Sequence, residues 1–218
     1  MLKRAEPRLN LGLLVLAALF ADLLLWLLVL ARVESILPPL GSGAARYFSF
    51  EFPYSHGLVA TIAWSVLAGV AVWWLAPAGT PRRVSLAVVV ALAVSSHFVL
   101  DLVVHVRDLP VLSEASPKLG LGLWAYMPIA LAVELAFAGT AMVFYLRGSR
   151  LTRGRRWLAI GIIALTGVLT ATGPYIPGAP PPPNTLAASS LVTLLIVVSL
   201  AFALEGRVGV ASAQPSAG

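Results

Sequence analysis

The stretch VSLAVVVALAVSSHFVLDLVVH (residues 84–105) decides the fold, because it is long and apolar yet carries two histidines and an aspartate. A helix needs about 20 apolar residues to cross the hydrocarbon core of a bilayer. An ionisable side chain at the bilayer centre costs about 2.5–3.5 kcal/mol on insertion scales. The stretch therefore predicts a transmembrane helix whose polar residues face other protein groups, water or a cation.

The composition of the whole chain indicates a polytopic membrane protein. Of its 218 residues, 59% are hydrophobic and 11% are charged, whereas about 25% are charged in a soluble domain. The absence of cysteine excludes disulfides, thiolate metal sites and a cysteine nucleophile. We expect an all-α bundle of about six transmembrane helices in one domain (residues 1–205), followed by a disordered cytoplasmic tail (residues 206–218). The predicted spans lie near residues 9–31, 56–76, 84–105, 124–146, 157–176 and 185–205.

The distribution of basic residues predicts the orientation in the membrane. Eleven of the 15 Lys and Arg residues lie at the N-terminus, in the loops 77–83 and 147–156, or in the C-terminal tail. The other four lie in loops on the opposite side. Because basic loops stay in the cytoplasm, this asymmetry predicts that both termini are cytoplasmic. Because membrane topology explains the basic clusters, we expect no nucleic-acid partner.

The polar residues near the end of the third span form a stripe. Placed on one helix at 100° per residue, the four residues at positions 97, 101, 105 and 108 lie within about 80° of one another. Pro110 favours an end to the helix nearby, so whether the helix reaches position 108 is left open. The third histidine opens the second span on the same side of the membrane. The stripe and that histidine predict a nitrogen and oxygen site for a divalent metal such as zinc, manganese or iron. The predicted ligands are His56, His97, Asp101, His105 and Asp108.

Two histidines of the stripe are separated by eight residues, about 12 Å along a straight helix. His97 and His105 therefore cannot readily ligate one ion together. Either Asp101 bridges them in a two-metal site, or one histidine lies outside the ligand set.

Two further acids lie inside other spans at a depth similar to that of His97. Asp22 is within the first span and Glu134 within the fourth, and each is roughly 13–15 Å below the outer surface. They could meet His97 and Asp101 in one layer.

Several other residues have predicted supporting or structural roles. Lys118 or Arg107 could hold an anionic headgroup or phosphate, and Ser55 adjoins a histidine as a nucleophile would. Glu51 and Glu114 are expected to be solvated loop acids, and Trp124 is expected to anchor its span at the membrane surface.

Five segments of the first four spans share a recognisable pattern: ADLLLW (21–26), YSHGL (54–58), SHFVLDLVVHVRDLP (96–110), PKLGLGLW (117–124) and VEL (133–135). With them the chain resembles, over roughly residues 12–146, a bacterial inner-membrane family of membrane-bound metal-dependent hydrolases, of which the LexA-regulated inner-membrane proteins are the best-known branch. Ala21 stands in place of the family's proline. The chain lacks the N-terminal histidine of many members and the Pro-Asp-x-Asp pair of some.

The resemblance implies a bacterial cytoplasmic membrane protein whose polar centre contains the five predicted ligands together with Asp22. It also implies a metal-dependent hydrolase. A metal-activated water would attack an ester or phosphoester, and the position of the site near the outer face favours a lipid-like substrate that enters from the outer leaflet. In that hypothesis Asp101 and His56 act in catalysis, with His56 as a ligand or a general base. The alternatives are a proton- or ion-coupled transporter, against which the lack of clear broken helices counts, and a non-catalytic membrane scaffold.

Overall fold

The computed structural model describes residues 2–7, 9–40, 47–176 and 181–205. The predicted tail (206–218) lies outside these residues. The described chain is mainly helical, with eight α-helices and two short 3₁₀ turns (Leu123–Tyr126 and Gly173–Tyr175). The helices are α1 (Leu2–Ala5), α2 (Leu11–Ala18), α3 (Phe20–Leu30), α4 (Leu58–Leu75), α5 (Arg83–Val104), α6 (Met127–Gly148), α7 (Arg153–Thr172) and α8 (Pro183–Glu205).

The helices confirm the predicted multi-pass architecture. Five helical stretches are long and apolar enough to cross a membrane, and the number rises to six if the bent pair α2–α3 counts as one span. Few of their residues are buried within the chain, and many large apolar side chains are exposed along them. Such exposure suits helices whose outer surfaces face lipid.

The first span is broken, which corrects the expectation of a chain without broken helices. Helix α2 ends at Ala18 and helix α3 begins at Phe20, and their axes differ by 53°. Leu19 between them has φ −97° and ψ 9°, outside helical geometry. The neighbouring helix α8 packs against both halves of the bent span. At Gly12 an added Cβ would lie 2.2 Å from the Phe202 ring, so the missing side chain permits the contact between α2 and α8.

Helices α4 and α5 share the most extensive contact between described helices, and small residues face each other along both. Thr61, Ser65 and Gly69 are buried at intervals of four residues on α4. Gly69 meets Ala87 and Ala91 of α5. One turn further along, Ser95 Oγ donates a hydrogen bond to Ser65 Oγ at 2.8 Å. This small-residue pattern lets two membrane helices approach closely.

Two antiparallel hairpins lie at one end of the bundle, which we call the hairpin end. Strand β1 (Ser35–Leu40) pairs with β2 (Tyr47–Glu51), and β3 (Leu109–Pro110) pairs with β4 (Lys118–Leu119). The all-α prediction did not include these strands. They occupy the long connection after α3 and the connection after α5, and they shape the surroundings of the predicted ligands.

A polar network connects several helices at the opposite end of the bundle, which we call the α1 end. Glu205, the last residue of α8, accepts hydrogen bonds from Lys3 Nζ at 2.7 Å, from the Leu11 amide at 2.9 Å and from the Tyr145 hydroxyl at 3.3 Å. Glu6, which is 1% exposed, lies 3.8 Å from Arg82 Nε. These contacts hold α1 and the start of α2 against α8 and the start of α5.

The α2–α8 contact gives a test of the packing that supports the bent span. Gly12→Ala should destabilise the protein by about 1–3 kcal/mol, because the added methyl group overlaps the ring and backbone of Phe202. The thermal midpoint in detergent is the measurement. Gly161→Ala is the matched control, since nothing lies within 4 Å of a Cβ built there. An equal midpoint for both variants would contradict the close contact.

Candidate metal site

Four side chains from three separate segments meet near the hairpin end, and we call them the His–Asp cluster: Asp22, His56, His97 and Asp101. The two histidine Nε2 atoms lie 3.3 Å apart. Asp22 Oδ1 lies 3.6 Å from each of them. Asp101 Oδ2 lies 3.2 Å from His97 Nε2 and 3.8 Å from His56 Nε2. Among the described residues, Asp22, His56 and His97 form a group whose ligand atoms all lie within 4.8 Å of one another.

His97 is oriented by the break in the first span. Its Nδ1 lies 2.8 Å from the carbonyl oxygen of Ala18, the last residue of α2. A carbonyl oxygen only accepts hydrogen bonds, so Nδ1 carries the proton and donates. The lone pair of the ring therefore sits on Nε2, the atom that faces the cluster.

His56 is oriented by hydrogen bonds that run through Ser55 to Glu34, which lies in the loop before β1. Its Nδ1 lies 2.8 Å from Ser55 Oγ, and Ser55 Oγ donates to Glu34 Oε2 at 2.7 Å. Glu34 Oε1 also accepts from the backbone amides of Tyr54 and Ser55, each at 2.9 Å. Ser55 is 1% exposed and its proton is directed to Glu34, so its hydroxyl serves as a link to His56 rather than as an exposed nucleophile.

Burial changes the acid–base behaviour of Glu34, which lies in the loop between α3 and β1. Its side chain is buried, and burial raises the pKa of the Glu34 carboxyl above its ordinary value of 4.5. The hydrogen bonds from Ser55 and Tyr54 lower the pKa again, but by less than burial raises it. Sequence reasoning did not single out this residue, since a lone acid in a loop resembles a solvated charge.

The cluster brings together more hydrogen-bond acceptors than it has protons to share. The lone pair of His97 Nε2 faces His56 Nε2 at 3.3 Å, with carboxylate oxygens beside both atoms. Asp101 Oδ2 is one of two buried side-chain oxygens, among the described residues, without a hydrogen-bond partner. A buried acceptor without a partner is costly. The arrangement therefore suits either a proton shared with a histidine or a bound cation.

The predicted polar stripe divides into two parts because α5 ends at Val104. His105 adopts φ −61° and ψ 141°, so it and Asp108 lie beyond the helix. His105 Nδ1 and Asp108 Oδ1 are 2.9 Å apart and form a buried pair, while Asp108 Oδ2 is the second unpaired oxygen. The Phe52 ring contacts both His56 and His105, with centroid distances of 4.9 Å and 5.8 Å. His105 and Asp108 thus adjoin the cluster but lie outside its three-residue ligand group, and their role as ligands stays a prediction.

Glu134, predicted to share a layer with the cluster, contacts Trp124 instead of a cluster residue among the described residues. Its Oε1 accepts a hydrogen bond from Trp124 Nε1 at 3.1 Å, and no ion pair within 4.0 Å joins it to a histidine in the described part of the chain. It lines a groove of about 430 Å³ between α6 and α7. The Trp124 ring, in the 3₁₀ turn before α6, packs against His105 at 4.3 Å between centroids, so Trp124 adjoins the cluster through His105.

The predicted anion-binding residues lie on the loops at the hairpin end. Arg107 is exposed in the turn after α5. Lys118, on β4, forms an ion pair with Glu114. Glu114 also accepts the Phe52 amide at 2.9 Å, so it joins two loops instead of being the solvated acid that was predicted. Glu51 is exposed, as expected, and accepts from Ser35 Oγ.

Comparison with known proteins identifies no relative. No family model matches the chain, and neither a curated protein nor a solved structure matches it. The functional argument therefore depends on the geometry of the His–Asp cluster.

The raised pKa of Glu34 predicts a pH-dependent contribution to stability. The Glu34 carboxyl binds its proton more tightly in the folded protein than in the unfolded chain. The free energy of unfolding therefore falls as the pH rises from 4.5 to the folded pKa, and the loss is constant above that pKa. Glu34→Gln cannot titrate, so its thermal midpoint relative to the parent should rise between pH of about 4 and about 8. Thermal unfolding in detergent is the measurement, and the exposed acid Glu51, changed to Gln, is the control. A relative midpoint that falls with pH would contradict the raised pKa.

Proposed function

We propose that the chain is a bacterial membrane protein that binds a divalent cation at Asp22, His56 and His97 and hydrolyses an ester or phosphoester of an amphiphile. One observation supports this proposal above the others. Two histidine Nε2 atoms, each with its Nδ1 bonded to a protein oxygen, face the same carboxylate at 3.6 Å. Histidines that bind metals are typically oriented in this way by a hydrogen bond from the other ring nitrogen.

The donor atoms fit a divalent cation of borderline hardness. Two imidazole nitrogens and a carboxylate oxygen are the ligands found in many zinc, manganese and non-haem iron sites. The buried oxygen of Asp101, without a hydrogen-bond partner, adds a further negative charge beside them. A bound ion would supply Lewis acidity, which polarises an ester or phosphoester and favours attack by water at neutral pH.

The protein's own residues supply the rest of the proposed chemistry. Asp101 Oδ2 is the atom that would take the proton from the attacking water, since it is close to the histidines and has no hydrogen-bond partner. The site opens at Asp22, whose side chain is 29% exposed, whereas that of His56 is 4% exposed. Lys118 and Arg107 at the hairpin end are the cations that could hold a phosphate.

The proposed location and orientation follow from charge and from the position of the cluster. Eleven of the 15 basic residues lie, in the sequence, at the N-terminus, in 77–83 and 147–156, or after residue 205, and this asymmetry supports cytoplasmic termini and an outward-facing hairpin end. The His–Asp cluster lies in the bundle near that end. A substrate with an apolar part can reach such a site from the membrane, and this favours a lipid-like amphiphile over a soluble ester.

Metal content tests the proposal directly. The protein, purified without a chelator or a histidine tag, should carry about one equivalent of zinc, manganese or iron per chain. His56→Ala/His97→Ala should lose it, because both nitrogen donors are removed, and elemental mass spectrometry gives the ratio.

His105→Gln is the matched control for the loss of an imidazole beside the cluster. It should retain the ion, since His105 pairs with Asp108. Loss of metal in this variant too would favour the larger five-residue site that the sequence predicts. A parent protein free of metal, and unable to take up added Mn²⁺ or Zn²⁺, would rule out the metal-dependent hydrolase.

The broken first span favours a second candidate function, proton- or ion-coupled transport. Discontinuous helices are a common feature of transporter sites, and Asp22 lies in the first turn of α3, directly after the break. In that case the cluster would hold a proton between its two histidines instead of a metal ion. A protein with neither activity would be a membrane scaffold.

Proton flux distinguishes the transporter from the hydrolase. In liposomes with a pH gradient, transport through the cluster should be abolished in Asp22→Asn, which keeps the size of the side chain but cannot carry its charge. Ser95→Ala, changed in the α4–α5 contact outside the cluster, controls for altered packing. Leakage equal to that of protein-free liposomes in the parent would exclude the transporter.

A further inference from the structure

Glu34 is a buried acid to which the proposed reaction assigns no role. It lies between α3 and β1 and is 3% exposed. All of its observed hydrogen bonds go to the segment that precedes His56, namely to the Tyr54 amide, the Ser55 amide and the Ser55 hydroxyl. A buried carboxylate is costly unless its hydrogen bonds compensate for lost hydration, and these three bonds supply that compensation.

The donors of these three bonds determine which atom donates in the next contact, between Ser55 Oγ and His56 Nδ1. Backbone amides can only donate, so Glu34 accepts at Oε1 from both. Ser55 has a single hydroxyl proton, and when Glu34 is a carboxylate this proton points to Glu34 Oε2 at 2.7 Å. Ser55 Oγ can therefore only accept in its 2.8 Å contact with His56 Nδ1. The proton of the His56 ring must then lie on Nδ1.

We infer that Glu34 is a positioning residue that acts through Ser55 to hold the His56 proton on Nδ1 and so keeps Nε2 free as a ligand atom. With the other tautomer, an N–H group would point from His56 Nε2 at the centre of the cluster, where it would occupy the lone pair needed by a cation. Carboxylates that orient a liganding histidine usually do so directly, whereas here a serine transmits the effect. The effect on metal binding depends on the proposed function, but the placement of the proton does not.

The same arrangement explains why an isosteric change should reverse the tautomer. In Glu34→Gln, an NH₂ group can replace Oε2 and donate to Ser55 Oγ. The Ser55 proton would then turn to His56 Nδ1, and the ring proton would move to Nε2. Ser55→Ala removes the acceptor for Nδ1–H without changing Glu34, and provides an independent second variant.

The tautomer can be read from solid-state ¹⁵N NMR of the full chain in lipid bilayers, because the chain has three histidines. A His56→Gln spectrum assigns the His56 signals. We expect a protonated Nδ1 and an unprotonated Nε2 for His56 in the parent without metal. In Glu34→Gln the proton should move to Nε2, and Mn²⁺ affinity, measured by electron paramagnetic resonance, should fall by about 10–100-fold.

Glu6→Gln is the matched control for the loss of a buried acid. Glu6 is 1% exposed and accepts from Ser85 Oγ at 3.3 Å, so it resembles Glu34 in burial and partner. It lies at the α1 end, since Ser85 precedes His97 by twelve residues of α5, about 18 Å along the helix. This variant should keep both the His56 tautomer and the Mn²⁺ affinity of the parent.

Each result decides between the inference and its alternatives. A parent His56 with its proton on Nε2 would overturn the inference, and so would a tautomer that stays on Nδ1 in both Glu34→Gln and Ser55→Ala. If Glu34→Gln does not fold, the parent and Ser55→Ala spectra still decide. A tautomer that behaves as expected in a protein that binds no Mn²⁺ would leave the role of Glu34 intact and remove the metal-dependent function.

Discussion

The hydrogen bond from His97 Nδ1 to the Ala18 carbonyl joins the fold to the site. Inside a bilayer, backbone polar groups have to form hydrogen bonds within the protein, because water is absent there and lipid tails cannot form such bonds. The break at Leu19 ends α2 and leaves its last carbonyl in reach of α5. His97 pairs with that carbonyl, and in doing so its other nitrogen is turned toward Asp22, the residue just after the break. The bend and the ligand geometry thus depend on each other.

The close approach of α4 and α5 sets the second constraint on the site. Residues with small side chains let the two backbones come together, and the contact between Ser65 and Ser95 fixes their register. His97 follows Ser95 by two residues, and His56 lies immediately before Gly57, the residue that caps α4. The distance of 3.3 Å between the two Nε2 atoms therefore depends on this packing together with the bonds from Glu34 and Ser55 that orient His56.

The sequence predicts the helices far better than the details of the site. Runs of apolar residues mark each span because the thickness of the bilayer fixes their length, and the spacing of His97 and Asp101 correctly places both on one face of α5. The pattern could not show that α5 ends before His105, although Pro110 indicated a nearby end. It also could not show the break at Leu19, because the residues on both sides of the break are as apolar as those of an unbroken transmembrane helix. Glu34 was missed because a single loop acid has no periodicity, and its significance depends on a contact across twenty-one positions.

The order of the cluster residues along the chain has a consequence for membrane insertion. Asp22, His56, His97 and Asp101 all precede α6, so the ribosome has made every one of them before α6, α7 and α8 exist. Helix α8, which packs against both halves of the bent span, is synthesised after α6 and α7. The carboxylates of the first and third spans must therefore enter the bilayer before their final helical support is present. During that interval the two histidines, a proton or a cation can neutralise them, so charge pairing within the cluster favours membrane insertion as well as the finished fold.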